Sequence, residues 1–322
     1  MKNIIITIVC LLLLVSTSLS AQLIIAETPI SLKTSSGDIH GTLKVPYIVD
    51  SKQTPVVLII AGSGPTDRDG NNPQMKNNSL KMLSDGLYYH NIASLCFDKL
   101  GIGESKDAMK QESDLRFEDY INDVRGWIDL LSEDKRFSEI IIAGHSEGSL
   151  IGMIASVNNP KVSRYISLAG SGKPADEILR EQLDKQLATQ PAIKETMFSY
   201  IDKLKKGETI ADVPVAFNSL FRPSVQPYMI SWFKYNPQVE VGKLTIPVLI
   251  VQGTTDIQVP VEHADLLAAA NKGSQKVIIK NMNHVLKDCE STDMQQQVST
   301  YTNPDIPINK SLITIISYFI KQ

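Results

Sequence analysis

Cysteine is scarce in this sequence, and charge of one sign does not dominate it. The 322 residues include three cysteines, none of them in a CxxC pair or a cysteine–histidine cluster, which argues against a zinc site or a disulfide scaffold. Lys and Arg number 32 against 35 Asp and Glu, so the net charge is −3. Without a basic surface the chain has no electrostatic basis for binding nucleic acid. We therefore expect neither a metal site nor a nucleic-acid partner.

Long apolar runs are missing except near the amino terminus. Lys2 precedes an apolar run over Ile4–Val15, and small residues follow over 16–21. A basic start, a short apolar run and a small-residue exit are typical of a secretory signal peptide, and the run is shorter than the roughly 20 residues that span a membrane. We predict a signal peptide over 1–21, cleaved after Ser20 or Ala21, and hence a periplasmic or secreted protein. An uncleaved amino-terminal anchor is the alternative.

Strand-like and helical segments alternate through the rest of the chain. Buried strands are predicted from continuous apolar runs at 54–62, 91–98, 138–144, 162–170, 246–253 and 275–281. Helices are predicted near 77–90, 117–134, 147–158, 260–271 and 309–321. This alternation predicts one α/β domain over 22–322, with a mostly parallel sheet covered by helices on both sides. The segment at about 171–240 breaks the alternation, and its amphipathic, proline-interrupted pattern predicts inserted helices.

The segment Gly144-His-Ser146-Glu-Gly148 carries the strongest chemical signal. It is a GxSxG motif that follows a predicted buried strand and opens a predicted helix. A nucleophilic serine needs that context, because a tight strand-to-helix turn exposes its hydroxyl. We therefore predict that Ser146 is the nucleophile of a serine hydrolase.

A serine hydroxyl becomes a good nucleophile when a histidine takes its proton and an acid orients that histidine. In this architecture the acid and the histidine follow the serine in that order. Asp256 comes directly after the strand predicted at 246–253, and His284 comes directly after the strand at 275–281. We predict Asp256 as the acid and His284 as the base, with Asp288 as the fallback acid. His263 is the competing base, although its place one turn into a helix is more typical of a surface histidine.

Acyl transfer also requires donors for the oxyanion. The backbone N–H of Glu147, directly after the nucleophile, is predicted as one donor. The second is predicted in the loop after the strand at 54–62, where the sequence reads Gly62-Ser63-Gly64-Pro65. We choose the N–H of Ser63, with that of Gly64 as the alternative.

Together these residues resemble the α/β-hydrolase superfamily. Asp98-Lys-Leu-Gly101-Ile-Gly-Glu-Ser105 resembles its D-x-R-G-x-G-x-S signature, with Leu100 where arginine is common. The stretch 62–71 (GSGPTDRDGN) is similar to that of bacterial carboxylesterases of the EstD type, near the serine aminopeptidase and acyl-peptidase branch. The resemblance implies an α/β-hydrolase fold and a carboxylesterase that acts on short acyl esters.

The resemblance also bears on two neighbouring segments. Many relatives have a histidine where this chain has Ala61, a residue that usually braces the oxyanion loop. Charged residues over 67–69 either brace the loop instead or are simply solvated. The insertion at 171–240 is expected to be a helical cap over the site. Its candidates for substrate contact are Phe221, Met229 and Trp232.

The resulting expectation is an exported serine esterase that hydrolyses a small-molecule ester through an acyl-enzyme, without metal or cofactor. One alternative is a serine aminopeptidase or acyl-peptidase, whose amine-recognising acid would come from Glu147, Asp176 or Glu177. The other is a catalytically silent binding protein on the same fold, because fold does not dictate function. The natural ester and the oligomeric state are left open.

Overall fold

The structure is a computed structural model that describes residues 25–47 and 53–322. The predicted signal peptide lies outside the described residues and stays a prediction. Across the two described stretches, no helix combines the length and the apolar character that a membrane span requires.

Eight described strands form a single mixed sheet. They are β1 (Glu27–Thr34), β2 (Gly37–Lys44), β3 (Thr54–Ile60), β4 (Ala93–Phe97), β5 (Phe137–His145), β6 (Val162–Leu168), β7 (Val248–Gly253) and β8 (Gln275–Ile279). Their spatial order is β1-β2-β4-β3-β5-β6-β7-β8. β1, β2 and β4 pair antiparallel, and every pair from β4 through β8 is parallel. The predicted α/β class with a largely parallel sheet is therefore confirmed.

Eleven α-helices accompany the sheet in the described residues. They are α1 (Ser79–Tyr89), α2 (Phe117–Glu133), α3 (Glu147–Ser156), α4 (Ala175–Gln186), α5 (Pro191–Lys205), α6 (Asn218–Phe221), α7 (Gln226–Trp232), α8 (Pro237–Gly242), α9 (Glu262–Ala270), α10 (Met294–Thr302) and α11 (Lys310–Ile320). Short 3-10 helices occupy Gly103–Ala108, Glu112–Asp114 and Val215–Phe217.

The sheet has an apolar layer on each face, as expected for parallel strands that helices cover on both sides. On β3, Val56, Leu58 and Ile60 face the layer that contains α2 and α3. Val57 and Ile59 face the layer that contains α1 and α11. Because the strands from β3 to β8 are parallel, their carboxyl ends lie at the same edge of the sheet. The loops that follow β3, β4, β5, β7 and β8 therefore meet at this carboxyl edge, where ligands bind in such sheets.

Helices α4 to α8 lie in the chain between β6 and β7, and we call residues 175–242 the helical insertion. The insertion has an apolar core of its own, which includes Leu183, Ile201, Leu204, Phe221 and Phe233. Helix α7 also packs on the main core through Tyr228 and Trp232. The insertion is therefore internally packed, and it is attached to the sheet domain along α7 and along α8, where Val241 is buried in the main core.

Asp123 on α2 is a buried carboxyl with one unpaired oxygen, Oδ2. Burial, helped by the charge of Asp119, raises its pKa from 3.8 to about 7. Between these values the folded state binds more protons than the unfolded state, so this group's contribution to stability falls as the pH rises. Above pH 7 the buried carboxylate costs about 4 kcal/mol. We expect Asp123→Asn to raise the melting temperature at pH 8 by several degrees and to change it little at pH 4.

Thermal unfolding at both pH values checks this expectation. Asp129→Asn on the same helix is a matched control, because the Asp129 carboxylate is exposed and pairs with Lys161. An Asp123→Asn gain of the same size at pH 4 and pH 8 would show that charge burial is not its cause.

Candidate active site

Ser146 lies in the turn between β5 and α3 with φ 54° and ψ −120°. This backbone conformation is strained for a residue other than glycine, by about 1–3 kcal/mol. The two flanking glycines make the turn possible. A Cβ on Gly144 would lie 2.2 Å from the carbonyl oxygen of Gly148, and one on Gly148 would lie 2.5 Å from that of Ile60. The motif therefore requires glycine at both positions.

The structure brings His284 and Asp256 to Ser146. His284 Nε2 lies 3.2 Å from Ser146 Oγ, and His284 Nδ1 lies 2.8 Å from Asp256 Oδ2. Asp256 follows β7 and His284 follows β8, and the two loops meet closely, since a Cβ on Gly253 would lie 1.8 Å from the carbonyl oxygen of Met282. The three side chains predicted for nucleophile, acid and base are thus in one hydrogen-bonded row.

Hydrogen bonds hold the Asp256 carboxylate on both oxygens. Oδ1 accepts from the backbone N–H groups of Gln258 (2.8 Å) and Val259 (2.9 Å), and Oδ2 accepts from Gln252 Nε2 (2.8 Å) as well as from His284. Burial alone would raise the pKa of this carboxyl. The charge of His284 and these hydrogen bonds outweigh it, and the pKa is lowered. Asp256 is therefore ionised and fixed in orientation.

His145 contributes to this site in a way that its sequence position does not reveal. Its Nε2–H donates to the carbonyl oxygen of His284 at 2.7 Å, and the two rings lie 4.9 Å apart. Burial and the charge of His284 lower the pKa of His145 to about 4, so it is neutral. His145 therefore points toward the base and supports the His284 backbone.

His263 and Asp288 stand apart from the hydrogen-bonded row. His263 is buried, not on the surface as its helix position suggested, and its Nδ1 accepts from Gly172 N–H at 3.0 Å. Asp288 is exposed and accepts from Asn309 Nδ2 at 2.5 Å. Neither takes part in the contacts to Ser146.

The two predicted oxyanion donors belong to different loops that border the same cavity as the nucleophile. Gly62 passes so near that a Cβ on it would lie 3.2 Å from Ser146 Cβ, which places the Gly62–Ser63 peptide against the turn. Neither Ser63 N–H nor Glu147 N–H has a hydrogen-bond acceptor among the described residues. Both are therefore free to donate to a ligand.

The Glu147 carboxylate is bonded to two other side chains. Lys99 Nζ lies 3.3 Å from Glu147 Oε2, and Tyr228 of α7 donates to Glu147 Oε1 at 2.7 Å. Lys99 also donates to the carbonyl oxygen of Gly62 at 2.6 Å. Sequence reasoning missed Lys99, although its place directly after a buried strand at the carboxyl edge was a usable signal.

The charged segment 67–69 holds a more distant part of the loop. The backbone N–H and the guanidinium of Arg68 both donate to Asp98, and the guanidinium also pairs with Glu104. Asp67 accepts from the N–H groups of Asp69 and Asn71. These contacts fix the loop beyond Pro65, whereas Lys99 is the side chain that reaches Gly62.

Three cavities converge on this region. One of about 220 Å³ contains Ser146 and is walled by Ile178, Leu179 and Trp232 of the insertion. A second, of about 530 Å³, is lined mainly by apolar side chains, including Met229 and Trp232. A third, of about 120 Å³, borders Ser146, His145 and His284. Phe221 lines none of these three cavities, because it is fully buried in the core of the insertion.

One group of potential metal ligands occurs in the described residues, formed by Glu181, Glu262 and His263. Lys173 Nζ donates to both carboxylates, at 2.7 and 2.9 Å. The lysine thus offsets part of the negative charge of this cluster, which has no contact with Ser146.

A protein family with a similar sequence and known proteins with a similar structure were found for this chain. Residues 77–206 match the family model described as serine aminopeptidase, S33. A structure of Est1E from Butyrivibrio proteoclasticus with ferulic acid bound is similar over 91% of this chain and 100% of its own, with a TM-score of 0.59 and 18% identity. The chain therefore has the α/β-hydrolase fold. No curated protein matches this chain significantly in sequence.

Other structures similar to this chain differ in their described activities. An esterase of Pyrococcus furiosus has a TM-score of 0.57 at 14% identity, covering 92% of this chain and 91% of its own. A bromoperoxidase from Bacillus anthracis has a TM-score of 0.55 at 14% identity, covering 92% and 100%. At such identities the likeness establishes the fold, and the reaction has to be argued from the site.

Proposed function

We propose that this α/β-hydrolase is a serine carboxylesterase. The observation that carries the proposal is the row from Ser146 Oγ through His284 to Asp256, with contacts of 3.2 and 2.8 Å. A nucleophile, a base within hydrogen-bond reach and an acid that orients the base are what covalent acyl transfer requires.

In the first half of the proposed reaction, Ser146 Oγ bonds to the ester carbonyl carbon while His284 Nε2 takes the hydroxyl proton. Asp256 holds the proton of His284 on Nδ1, which leaves Nε2 free to accept. The carbonyl electron pair moves onto oxygen, where the N–H groups of Ser63 and Glu147 donate to it. The tetrahedral adduct then collapses, the ester C–O bond breaks, and the leaving alkoxide takes the proton from Nε2.

In the second half, water attacks the acyl-enzyme and gives a proton to His284 Nε2. The second tetrahedral adduct collapses to the carboxylic acid, and Ser146 Oγ recovers its proton. Each oxyanion donor lowers the barrier by roughly 3–4 kcal/mol. Every atom and proton in this cycle is accounted for by the substrate, water and the named side chains.

The cavities support a substrate with a short acyl group. The 220 Å³ cavity that contains Ser146 lies below the usual 300–1,000 Å³ range of small-molecule sites. The adjoining 530 Å³ cavity lies within it and gives room for the rest of the ester. We propose short-chain acyl esters as the substrate class, and the ferulic acid bound to Est1E is consistent with a small acid as the product of such a site.

The family model named for serine aminopeptidases favours a second candidate function. An aminopeptidase needs an acidic group free to pair with the substrate's ammonium. Here the Glu147 carboxylate is paired with Lys99, and that of Asp176 with Lys205. This engagement of two candidate acids favours the esterase.

Turnover of matched substrates tests the proposal. We expect the protein to hydrolyse p-nitrophenyl acetate and butyrate faster than the octanoate, and to react with a fluorophosphonate at Ser146. Amino-acid p-nitroanilides are the comparison for the aminopeptidase. Faster turnover of the anilides than of the esters would replace the esterase by the peptidase, and an absence of labelling would indicate a silent binding protein.

A further inference from the structure

Lys99 is a buried lysine with an unusual set of contacts. It follows β4 and is 1% exposed. Its Nζ donates to Gly62 O at 2.6 Å, pairs with Glu147 at 3.3 Å, and lies 5.0 Å from the centre of the Tyr120 ring. Lysines are almost never fully buried unless paired, and burying an ion pair often costs more than an apolar pair of similar volume. Stability alone therefore does not explain this lysine.

The contact with Gly62 acts on one of the two proposed oxyanion donors. The carbonyl of Gly62 and the N–H of Ser63 belong to one peptide unit, which is planar and trans, so they point in opposite directions. A lysine that holds the carbonyl oxygen therefore also fixes the direction of the N–H. Its positive charge polarises the peptide and strengthens the N–H as a donor.

The contact with Glu147 extends this effect to the other donor. Glu147 supplies its backbone N–H to the proposed oxyanion hole, and its carboxylate is held from behind by Lys99 and by Tyr228 of α7. Asp98, which precedes Lys99, is anchored by Arg68 and by Glu104 N–H, and this fixes the start of the lysine's own loop.

We infer that Lys99 is the positioning residue of the oxyanion hole, holding the Gly62–Ser63 peptide and the Glu147 turn in register with Ser146. The inference rests on the proposed function. Tyr228 joins the helical insertion to the same cluster.

A set of three variants of the full chain tests this inference. Lys99→Met keeps the volume and removes the ammonium, Glu147→Gln removes the partner charge, and the double variant removes both. We expect Lys99→Met to lower kcat on p-nitrophenyl butyrate by about 10- to 100-fold with little change in KM, since a small displacement of such donors has effects of this size. We expect the double variant to regain thermal stability relative to Lys99→Met while kcat stays low relative to Glu147→Gln.

A trifluoromethyl ketone provides a readout that a purely structural role would leave unchanged. It adds to the serine and presents an oxyanion, so its inhibition constant should rise by the same factor by which kcat/KM falls. Lys44→Met is the matched control, because Lys44 is also buried and paired, with Glu27 and Asp85, but lies away from Ser146. We expect it to lower the melting temperature without lowering kcat.

The outcomes separate the inference from the proposed function. The role of Lys99 is overturned if the wild type is active and Lys99→Met has the same kcat. It is also overturned if the double variant has the kcat of Glu147→Gln. Either result leaves the proposed esterase function intact. If Lys99→Met does not fold, the comparison of the double variant with Glu147→Gln decides. A wild type that neither hydrolyses esters nor reacts with the fluorophosphonate overturns the proposed function, and the inference falls with it.

Discussion

Replacing Ser146 by alanine is expected to lower ester hydrolysis by at least about 10⁴-fold, because no other hydroxyl stands in the row with His284 and Asp256 in the described residues. The fold should survive. Alanine loses one hydrogen bond of 3.2 Å, worth about 1 kcal/mol, so the melting temperature should stay within a few degrees. Esterase assays and thermal unfolding of the purified variant measure both effects.

Ser146→Gly is the matched control for the strained turn. Glycine accepts φ 54° and ψ −120° without the strain that alanine retains. Relief of about 1–3 kcal/mol of strain exceeds the 0.5–1 kcal/mol that glycine typically costs in the unfolded chain. We expect Ser146→Gly to be as inactive as Ser146→Ala but to melt at a higher temperature. Residual activity in both variants would contradict Ser146 as the nucleophile.

The second large effect is expected from Asp256→Asn, with a loss of about 10⁴-fold in kcat. Oδ1 of Asp256 accepts from two backbone N–H groups, so an asparagine must place its carbonyl oxygen there. Its NH₂ group then occupies the position of Oδ2 and faces His284 Nδ1 and Gln252 Nε2. Since that NH₂ donates, it favours the His284 tautomer with the proton on Nε2, which cannot accept from Ser146.

Asp288→Asn is the control for this variant. It removes the same charge at an exposed position four residues after His284, outside the row of contacts, and we expect kcat to change by less than about twofold. Steady-state kinetics on p-nitrophenyl butyrate compare the two variants. If Asp288→Asn lost activity and Asp256→Asn kept it, the fallback acid would be the acting one.

Much of the α/β-hydrolase fold could be predicted from local patterns. The helix predicted at 117–134 is Phe117–Glu133, and the one at 309–321 is Lys310–Ile320, because strong apolar periodicity marks a helix that packs on a core. Helix Met294–Thr302 was missed, since its polar sequence MQQQVSTYT has little amphipathic pattern. Asp293 caps this helix by accepting from the N–H groups of Gln295 and Gln296. The structure was needed to recognise Asp293 as a capping residue.

The row of Ser146, His284 and Asp256 could be placed from sequence, because parallel strands bring their carboxyl ends to one edge. The supporting contacts could not. Nothing local shows that Lys99 reaches Gly62 or that His145 supports His284, since both depend on the packing of segments distant in the chain. Phe221 and Met229 lie eight residues apart in the same insertion, yet only Met229 lines a cavity, because side-chain direction follows from helix orientation.

The helical insertion divides its tasks between two parts. Side chains in and around α7 form hydrogen bonds with the sheet domain. They join Arg222 to Glu112, Tyr228 to Glu147, Ser231 to the N–H of Phe117, and Tyr235 to Glu118. The cavity beside Ser146 is walled mainly by α4, through Ile178, Leu179 and Gln182, together with Trp232 of α7. Substitutions at these three positions of α4 can therefore reshape the pocket while the bonds made by α7 are kept. These positions of α4 can therefore vary, in evolution or in a library of variants, and change the substrate preference. The geometry of Ser146, His284 and Asp256 would stay the same.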